Sequence, residues 1–349
     1  MIRWLRRDKA PLPHAVPNPP RPPAPGESAS PNAEQLLRRL EWSVLKRLDG
    51  VLQGDYRTLM RGAGLDLADL REYQLHDDVR HIDWNVTARM QAPHVRVFTE
   101  DREMAAWFLL DLSPSVDFGS GTQRKRQVSA EFVAVLARLL TRYGNRVGAL
   151  LYSAGVEQMM PARASRQHVL QMLHAMQQRP TPVPSTSSGT RLAELLLAGA
   201  HAIRRRSTIF VVSDFISEPG WEKPLGQLAL RHEVVAVRLT DPLERELPDL
   251  GLLTLRDAET GEQVLVDTHD ARFRRRFATL AAEREAELRA SLARAGVDTL
   301  ELSTEDDLAL AVVRFTELRR QRARLAAGGG MPAHLRKSAD RATMKPLPA

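Results

Sequence analysis

The stretch Ala105-Ala-Trp-Phe-Leu-Leu-Asp-Leu-Ser-Pro-Ser115 decides the fold, because a run of apolar residues leads directly into oxygen-bearing side chains. The stretch Thr208-Ile-Phe-Val-Val-Ser-Asp214 repeats this arrangement further along the chain. A short apolar run bounded by polar or turn residues is typical of a strand that is buried on both faces. Strands of this kind occur mainly in parallel sheets that helices cover on both sides. Both stretches therefore predict central strands of an α/β domain.

The surrounding sequence alternates short apolar runs with amphipathic segments of helical period. Strands are predicted at residues 105–110, 146–152, 156–160, 208–213, 234–237 and 297–302, and helices at 125–143, 166–177, 190–205, 271–295 and 306–325. A hairpin is predicted at 252–266, around Thr260-Gly261. Strands that alternate with helices indicate a doubly wound, mostly parallel sheet. We therefore predict one doubly wound α/β domain over residues 104–326.

The segments on either side of this domain differ from it in composition. Residues 10–31 contain nine of the 22 prolines, which predicts a disordered, extended tail over residues 1–31. Residues 32–103 are predicted to form an N-terminal helix and an accessory segment. The helix is expected to begin after Asn32, because Asn32 and Gln35 have the spacing of a capping box. Residues 327–349 are predicted to form a second, basic tail.

The basic character of the chain, with a pI near 10.1, is concentrated in its two ends. Residues 1–32 and 327–349 each carry a net charge of +3, whereas the 294 residues between them carry +1. A nucleic-acid groove needs basic charge clustered on the folded domain. We therefore expect no specific nucleic-acid partner.

The types of residue that the chain lacks narrow its chemistry and its location. There is no cysteine, which excludes disulfides and thiolate metal sites and leaves oxygen or imidazole ligands for any metal. No apolar run approaches the roughly 20 residues that cross a bilayer. The basic N-terminus is not followed by the hydrophobic stretch of a signal peptide. We therefore expect a cytoplasmic protein with no transmembrane segment.

Five oxygen-bearing side chains are predicted to meet at one edge of the sheet. Asp111, Ser113 and Ser115 follow the first strand, Asp214 follows a later one, and Thr190 precedes a predicted helix. Each one alone is explained by a turn or a helix cap. In doubly wound sheets, however, ligands bind at the carboxyl ends of strands. Together the five predict a site for Mg²⁺ or Mn²⁺, in which the three hydroxyls bind directly and the two carboxylates hold bound waters.

These residues resemble the metal-ion-dependent adhesion site of von Willebrand factor A-like domains, in Asp111-Leu-Ser-Pro-Ser115, Gly189-Thr190 and Ser213-Asp214. Further segments resemble the domain-of-unknown-function 58 family: Leu70-Arg-Glu-Tyr73, Asp77-Asp-Val-Arg80, Ile82-Asp-Trp84, Thr87-Ala-Arg89, Glu100 and Phe118-Gly119. The likeness extends over roughly residues 50–320, and the run from Asp77 to Trp84 is the most specific part of it. The chain departs from the family at His76, where Gly is common, and at Val116, where Met is common. Neither change removes a ligand.

The resemblance implies a von Willebrand factor A-like fold and a non-enzymatic, metal-dependent protein-interaction module. Members of the family are typically encoded beside MoxR-type AAA+ ATPases. The implied partners are therefore such an ATPase and its client proteins, with this chain as an adaptor in protein assembly or activation. The metal would bridge to a carboxylate of the partner. The chain has no phosphate-binding glycine loop with lysine, so it is not expected to be the ATPase itself.

The residues alone leave a metal-dependent hydrolase, such as a PIN-type nuclease, as the alternative. These nucleases also have an Asp near a Ser after the first strand, but metal-dependent hydrolysis usually needs several carboxylates. Only Asp111 and Asp214 stand at the predicted strand ends, with Asp117 and Asp241 as further acids nearby. Hydroxyls around one ion would favour adhesion, whereas a cluster of carboxylates would favour hydrolysis.

The charges of residues 77–89 alternate in sign and stand beside Ile82 and Trp84. The charged residues of interest are Asp77, Asp78, Arg80, Asp83 and Arg89. We interpret them as a buried ion-pair network that anchors the N-terminal segment to the sheet domain. The alternative is a surface that binds a partner.

Overall fold

The computed structural model describes residues 33–48, 67–74, 79, 82–98, 105–178 and 189–326. Its strands are β1 (Leu67–Glu72), β2 (His94–Phe98), β3 (Ala105–Asp111), β4 (Arg146–Tyr152), β5 (Val156–Arg163), β6 (Thr208–Ser213), β7 (Glu233–Thr240), β8 (Leu252–Arg256), β9 (Gln263–Asp267) and β10 (Asp298–Ser303). Its α-helices are α1 (Ala33–Leu40), α2 (Trp84–Met90), α3 (Lys125–Arg142), α4 (Arg166–Gln177), α5 (Leu192–Ala202), α6 (Glu222–Arg231), α7 (Ala271–Arg294) and α8 (Leu308–Ala326). The predicted tails at residues 1–31 and 327–349 lie outside the described residues.

Six strands form the central sheet in the order β10-β7-β6-β3-β4-β5. Neighbouring strands are parallel, except that β5 runs antiparallel to β4. The chain runs outward from β3 through β4 and β5, and then returns to the other side of β3 for β6, β7 and β10. This is the doubly wound order, and its switch point lies between β3 and β6. The predicted fold class is therefore confirmed.

Two hydrophobic cores cover the two faces of the sheet, and β3 contributes to both. Phe108 and Leu110 pack into one core with helices α1, α3, α4 and α8, whereas Trp107 and Leu109 pack into the other with α5, α6 and α7. Successive side chains of a strand point to opposite faces, so an apolar run is the sequence that a doubly covered strand requires. The central position of β3 fixes the residues that follow it at the middle of the sheet edge.

The N-terminal helix belongs to the main core. It has an apolar face, because Leu36, Leu37, Leu40, Leu45 and Leu48 are all buried there. Helix α1 continues into a π-helical turn, Glu41–Leu45. Within that turn, Glu41 accepts a hydrogen bond from Arg138 Nε of α3 at 2.7 Å. The helix thus covers α3 and α4, and its apolar face explains why the segment stays attached to the sheet domain.

Within the sheet domain, helix α6 is an element that the sequence did not reveal. Its residues Leu225 and Leu228, together with the N-cap Trp221, have helical spacing and are buried in the second core. Pro224 and Gly226 stand between them, and both lower the helical propensity of the window. Tertiary packing outweighs that propensity here.

The accessory segment pairs β1 with β2 in a separate antiparallel sheet, and α2 lies between them in the chain. Asp83 caps α2, because its Oδ1 accepts from the amides of Asn85 at 3.0 Å and Val86 at 3.2 Å. Trp84 is 70% exposed and Arg89 is exposed. The interpretation of a buried ion-pair network is therefore wrong for Arg89. Asp77, Asp78 and Arg80 lie outside the described residues.

The predicted hairpin is confirmed as β8 and β9, which pair antiparallel in a two-stranded sheet of their own. Leu252 and Leu265 on this hairpin are 69% and 67% exposed. The hairpin is therefore an arm beside the six-stranded sheet and not a part of its core. None of the helices in the described ranges is long and apolar enough to cross a bilayer.

Candidate metal centre

The five predicted site residues come together at the switch point of the sheet. Asp111 ends β3, Ser113 and Ser115 lie in the turn that follows, Asp214 follows β6, and Thr190 lies just before α5. Each of the five has an exposed fraction of 5% or less. Because β3 and β6 are parallel neighbours, their carboxyl ends are adjacent. Strand order thus explains how residues distant in the sequence form one site.

Asp111 uses both carboxylate oxygens to organise the turn after β3. Oδ1 accepts from the Ser113 amide at 3.0 Å, and Oδ2 accepts from the Ser213 hydroxyl at 2.6 Å. Burial raises the pKa of Asp111 to about 6, and the negative charge of Asp214 adds to this effect. A buried carboxylate beside a second one is destabilised in its ionised form, and a nearby cation would relieve that cost.

Two of the three predicted hydroxyls contact each other, and the third contacts Glu259. Ser113 Oγ and Ser115 Oγ lie 3.1 Å apart, within hydrogen-bond distance of each other. Thr190 Oγ1 donates to Glu259 Oε1 at 2.9 Å. The predicted helix at 190–205 begins only at Leu192, so Thr190 is not part of it. Its side chain faces the site.

Asp214 is paired with a buried lysine. Lys125 Nζ, at the start of α3, donates to Asp214 Oδ2 at 2.6 Å and to Glu244 Oε1 at 2.7 Å. Lys125 is only 1% exposed. Burial alone would lower the pKa of Lys125, but the charges of Asp214 and Glu244 raise it above its usual value. The lysine therefore stays charged and neutralises one carboxylate of the site.

The backbone after Asp214 is strained. Phe215 has a φ of 57°, in the left-handed region that bulky residues rarely adopt. Its amide donates to Ser213 Oγ at 2.9 Å, and its ring lies edge-on to Trp221 at 5.3 Å between centroids. The next amide, that of Ile216, donates to Asp214 Oδ1 at 2.9 Å. The amides of Phe215 and Ile216 thus both donate to side chains at the end of β6. Strained backbone of this kind is common at functional sites.

Glu259 enters the site from the hairpin between β8 and β9. Its Oε1 accepts from Thr190 Oγ1 and also from the Ser115 amide at 3.2 Å. Burial raises the pKa of Glu259, and the two hydrogen bonds offset part of that effect. The negative charge of Asp214 raises it further.

The sequence identified the five residues that converge, and it missed Lys125, Ser213 and Glu259. Ser213 ends a predicted strand, so strand-end reasoning could have included it. Lys125 opens a predicted helix, but its partner Asp214 lies 89 positions away. Nothing in the sequence connects Glu259 with Ser115, because they lie 144 positions apart. Within the described ranges, no group of three or more histidine, aspartate or glutamate side chains is arranged to hold a metal ion.

The sequence matches, over residues 69–287, the family described as protein of unknown function DUF58. The chain belongs to the DUF58 family. Relatives of this DUF58 protein include an uncharacterized protein of Mycobacterium tuberculosis and one of Mycobacterium bovis. Each is 38% identical over 298 residues, which is 85% of this chain and 92% of the relative. The predicted family resemblance is thus confirmed.

Solved structures similar to this DUF58 protein include the conserved hypothetical protein BatB from Bacteroides thetaiotaomicron and the SpRpn10 VWA domain. BatB is 11% identical with a TM-score of 0.39, covering 62% of this chain and 98% of its own. The SpRpn10 VWA domain is 12% identical with a TM-score of 0.33, covering 60% of this chain and 93% of its own. Since these scores are low, the fold assignment depends on the strand order itself.

Proposed function

We propose that this DUF58 protein is a non-enzymatic protein-interaction module whose docking site is a bound Mg²⁺ or Mn²⁺ ion. Ser113, Ser115 and Thr190 would hold the ion, with Asp111 and Asp214 behind them. The observation that carries the proposal is the convergence of these five side chains at the switch point between β3 and β6. Ligands of doubly wound sheets bind at that place. When bound, the ion would offer an electrophilic position to an incoming anion.

The arrangement of donors fits a small hard cation. Magnesium binds oxygens at about 2.0–2.1 Å in octahedral geometry, so adjacent ligand oxygens lie roughly 3 Å apart. The distance of 3.1 Å between Ser113 Oγ and Ser115 Oγ matches such an edge. Each hydroxyl also keeps lone pairs that can bind a cation. The carboxylates accept hydrogen bonds at each oxygen, but a carboxylate has about four acceptor positions and can hold water as well.

The charges around the site favour weak binding of the ion. The direct ligands are neutral, and Lys125 already neutralises Asp214. Glu244 in turn accepts from the same ammonium group. The ionised form of Asp111 and the carboxylate of Glu259 supply the remaining negative charge. A carboxylate from a partner would increase the affinity of the site for the ion. By linkage, the ion would increase the affinity for that partner by the same factor.

The proposed partner is a MoxR-type AAA+ ATPase together with its client proteins, in the cytoplasm. The family resemblance suggests this class of partner, and the proposed site suggests the chemistry of recognition. An Asp or Glu on the partner would approach the ion. In this role the chain is an adaptor that links the ATPase to proteins being assembled or activated.

The donor set favours this proposal over a PIN-type nuclease. Asp241 is held by Ser120, Leu243 and Thr304, and Asp117 accepts from Arg124 Nη1 at 3.3 Å. These contacts are structural, so neither acid joins Asp111 and Asp214 as a further metal-holding carboxylate. Hydrolysis with metals generally relies on such additional carboxylates to orient a water. Glu259 adds a third carboxylate, but the Thr190 hydroxyl and the Ser115 amide already hold it. With three hydroxyls beside these acids, the donor set supports adhesion.

Calorimetry with Mg²⁺ and Mn²⁺ tests the metal site. We expect the wild-type chain to bind one ion weakly, and the double variant Ser113→Ala plus Ser115→Ala to lose binding while staying folded. Ser207→Ala is a matched control, because Ser207 is equally buried but lies at the amino end of β6, on the opposite edge of the sheet. Equal binding by the wild type and the double variant would exclude this set of ligands.

Affinity capture of a co-expressed MoxR-type ATPase tests the partner. We expect capture by the wild type in Mg²⁺, and loss of capture both in excess chelator and with the double variant. Capture that is unchanged by chelator would show that the metal does not form the contact. The adaptor would then bind through another surface.

A further inference from the structure

Glu259 reaches the proposed metal centre from an arm outside the central sheet. The hairpin of β8 and β9 forms its own two-stranded sheet, yet the side chain at its tip contacts both Thr190 and Ser115. Thr190 lies before α5 and Ser115 lies after β3, so Glu259 joins two separate walls of the site. A surface hairpin has no need of such a contact for its own pairing.

The tip of the hairpin is built to hold Glu259 in place. Asp257 is buried, and its Oδ1 accepts from the amides of Glu259 at 2.9 Å and Thr260 at 3.2 Å. The Asp257 amide donates to the carbonyl of Glu262 at 2.7 Å. Gly261 supplies the left-handed backbone that closes the turn, with a φ of 71°. The position of the Glu259 backbone is therefore fixed locally, and the side chain adds the link to the site.

The body of the hairpin is less firmly held. Its outward residues Leu252 and Leu265 are more than half exposed. At its base, Thr268 Oγ1 donates to the Gly251 carbonyl at 2.7 Å and accepts from the Leu250 amide at 2.9 Å. The hairpin is thus anchored at its base, and the Glu259 carboxylate links its tip to the site. Moving the tip would break few contacts compared with moving any strand of the sheet.

We infer that Glu259 is a built-in carboxylate ligand of the metal centre, which holds the place of the partner's carboxylate until the partner displaces the hairpin. This inference rests on the proposed function. Its basis is the contact with Thr190, whose hydroxyl donates to Glu259 and keeps its lone pairs for a cation. An acidic side chain from a partner would make the same contact. The two carboxylates exclude each other.

Such an internal ligand has two consequences. It increases the affinity of the free protein for the ion, because Glu259 already supplies one carboxylate. It also lowers the apparent affinity for the partner, because the partner binds only those molecules whose hairpin tip is released. Only a partner whose acidic group can compete with Glu259 for the ion would therefore bind well.

Mn²⁺ binding to the full chain, followed by water-proton relaxation, tests the inference without any partner. The variants are Glu259→Ala and, as a control, Glu262→Ala, which removes an equal charge from the same turn. We expect Glu259→Ala to bind Mn²⁺ about tenfold more weakly, because removing a group that supports a metal commonly lowers the affinity by about that factor. We also expect higher relaxivity per bound ion, because water enters the position that Glu259 vacates. Glu262→Ala should resemble the wild type in both measurements.

Acetate is a probe for the vacated position. In Glu259→Ala, added acetate should restore Mn²⁺ affinity and lower the relaxivity, whereas the wild type and Glu262→Ala should not respond. Equal relaxivity and equal acetate response in all three proteins would overturn the role of Glu259 and leave the metal site intact. Absence of Mn²⁺ binding in all three proteins would overturn the proposed function, and this inference with it.

Discussion

Asp111 and Asp241 are both buried carboxylates at the carboxyl ends of parallel strands, yet their surroundings shift their acidities in opposite directions. Asp241, after β7, accepts from the Ser120 amide at 2.9 Å, the Thr304 hydroxyl at 2.8 Å and the Leu243 amide at 3.0 Å. Burial would raise the pKa of Asp241, but these hydrogen bonds hold it below its usual value. For Asp111, burial and the charge of Asp214 outweigh two hydrogen bonds and raise the pKa to about 6.

The difference separates a carboxylate whose charge its neighbours satisfy from one whose charge is costly. Neutral donors satisfy Asp241, so it is stable when ionised and needs nothing further. Asp111 has another acid close by, and its charge is tolerated only at a cost. Groups with such perturbed acidity cluster at functional sites. The proposed metal centre is thus distinguished by the cost of ionising Asp111 and not by burial, which both residues share.

The largest expected effect is that of Lys125→Met, which removes the cation beside Asp214. Two carboxylates, Asp214 and Glu244, would lose their buried partner, and breaking such a pair costs roughly 3–5 kcal/mol of stability. Added Mg²⁺ should then stabilise the variant more than the wild type, because the ion replaces the lost positive charge. Chemical denaturation with and without Mg²⁺ measures both effects.

Lys223→Met is the control for this experiment, since Lys223 is exposed on α6. It should change neither the stability nor the response to Mg²⁺. If Mg²⁺ stabilised Lys125→Met no more than the wild type, the charge of Lys125 would not be coupled to the site. Asp214 would then belong with Asp241 as a structural carboxylate.

Asp241→Ala should cost about 3 kcal/mol, because each buried donor that loses its acceptor costs about 1–3 kcal/mol and part of this is recovered by relaxation. The affinity for Mg²⁺ should remain unchanged, since Asp241 links the turn after β7 to Ser120 and Thr304 and does not contact the five predicted ligands. Thermal denaturation and calorimetry on the same protein measure the two quantities. Loss of metal binding with normal stability would reverse the roles assigned to the two acids.

The opposite acidities predict opposite dependence on pH. The folded-state pKa of Asp111 lies above its ordinary value of 3.8, so the folded protein holds a proton between these values that the unfolded chain has lost. In the absence of metal, stability from this group therefore falls as the pH rises through about 6. For Asp241 the sign is reversed, because its stabilising contribution is lost as the pH falls through its lowered pKa.

Asp111→Asn isolates this effect. Between pH 5 and pH 8 without metal, the variant should become more stable relative to the wild type by roughly 1 kcal/mol. Saturating Mg²⁺ should abolish or invert the difference, because the ion favours the ionised form that Asn cannot adopt. A stability difference that stays constant across this range would mean that Asp111 is ionised throughout without cost.

The sequence predicted the doubly wound fold and the convergence of five polar side chains for a common reason, which is that strand ends can be read locally. A run such as residues 105–110 identifies both a buried strand and the polar residues that must lie at its end. The contacts of Lys125 and Glu259 arise from packing between distant segments, and no local pattern encodes them. Helix α6 was missed for the related reason that its burial, and not its propensity, determines its structure.

The smallest predicted effects concern the accessory segment, where Asp83 extends the comparison to a third buried carboxylate. Asp83 is 8% exposed and caps α2 through two backbone amides, so it is satisfied as Asp241 is. Replacing an N-cap by Ala costs typically about 1 kcal/mol. Asp83→Ala should therefore lower stability by about that amount without affecting Mg²⁺ binding.

Arg89→Ala, at an exposed position on the same helix, should change the stability by less than about 0.5 kcal/mol. Denaturation of both variants measures the contrast. A loss of several kcal/mol for Arg89→Ala would contradict this assignment, since substitutions at exposed positions rarely have such an effect.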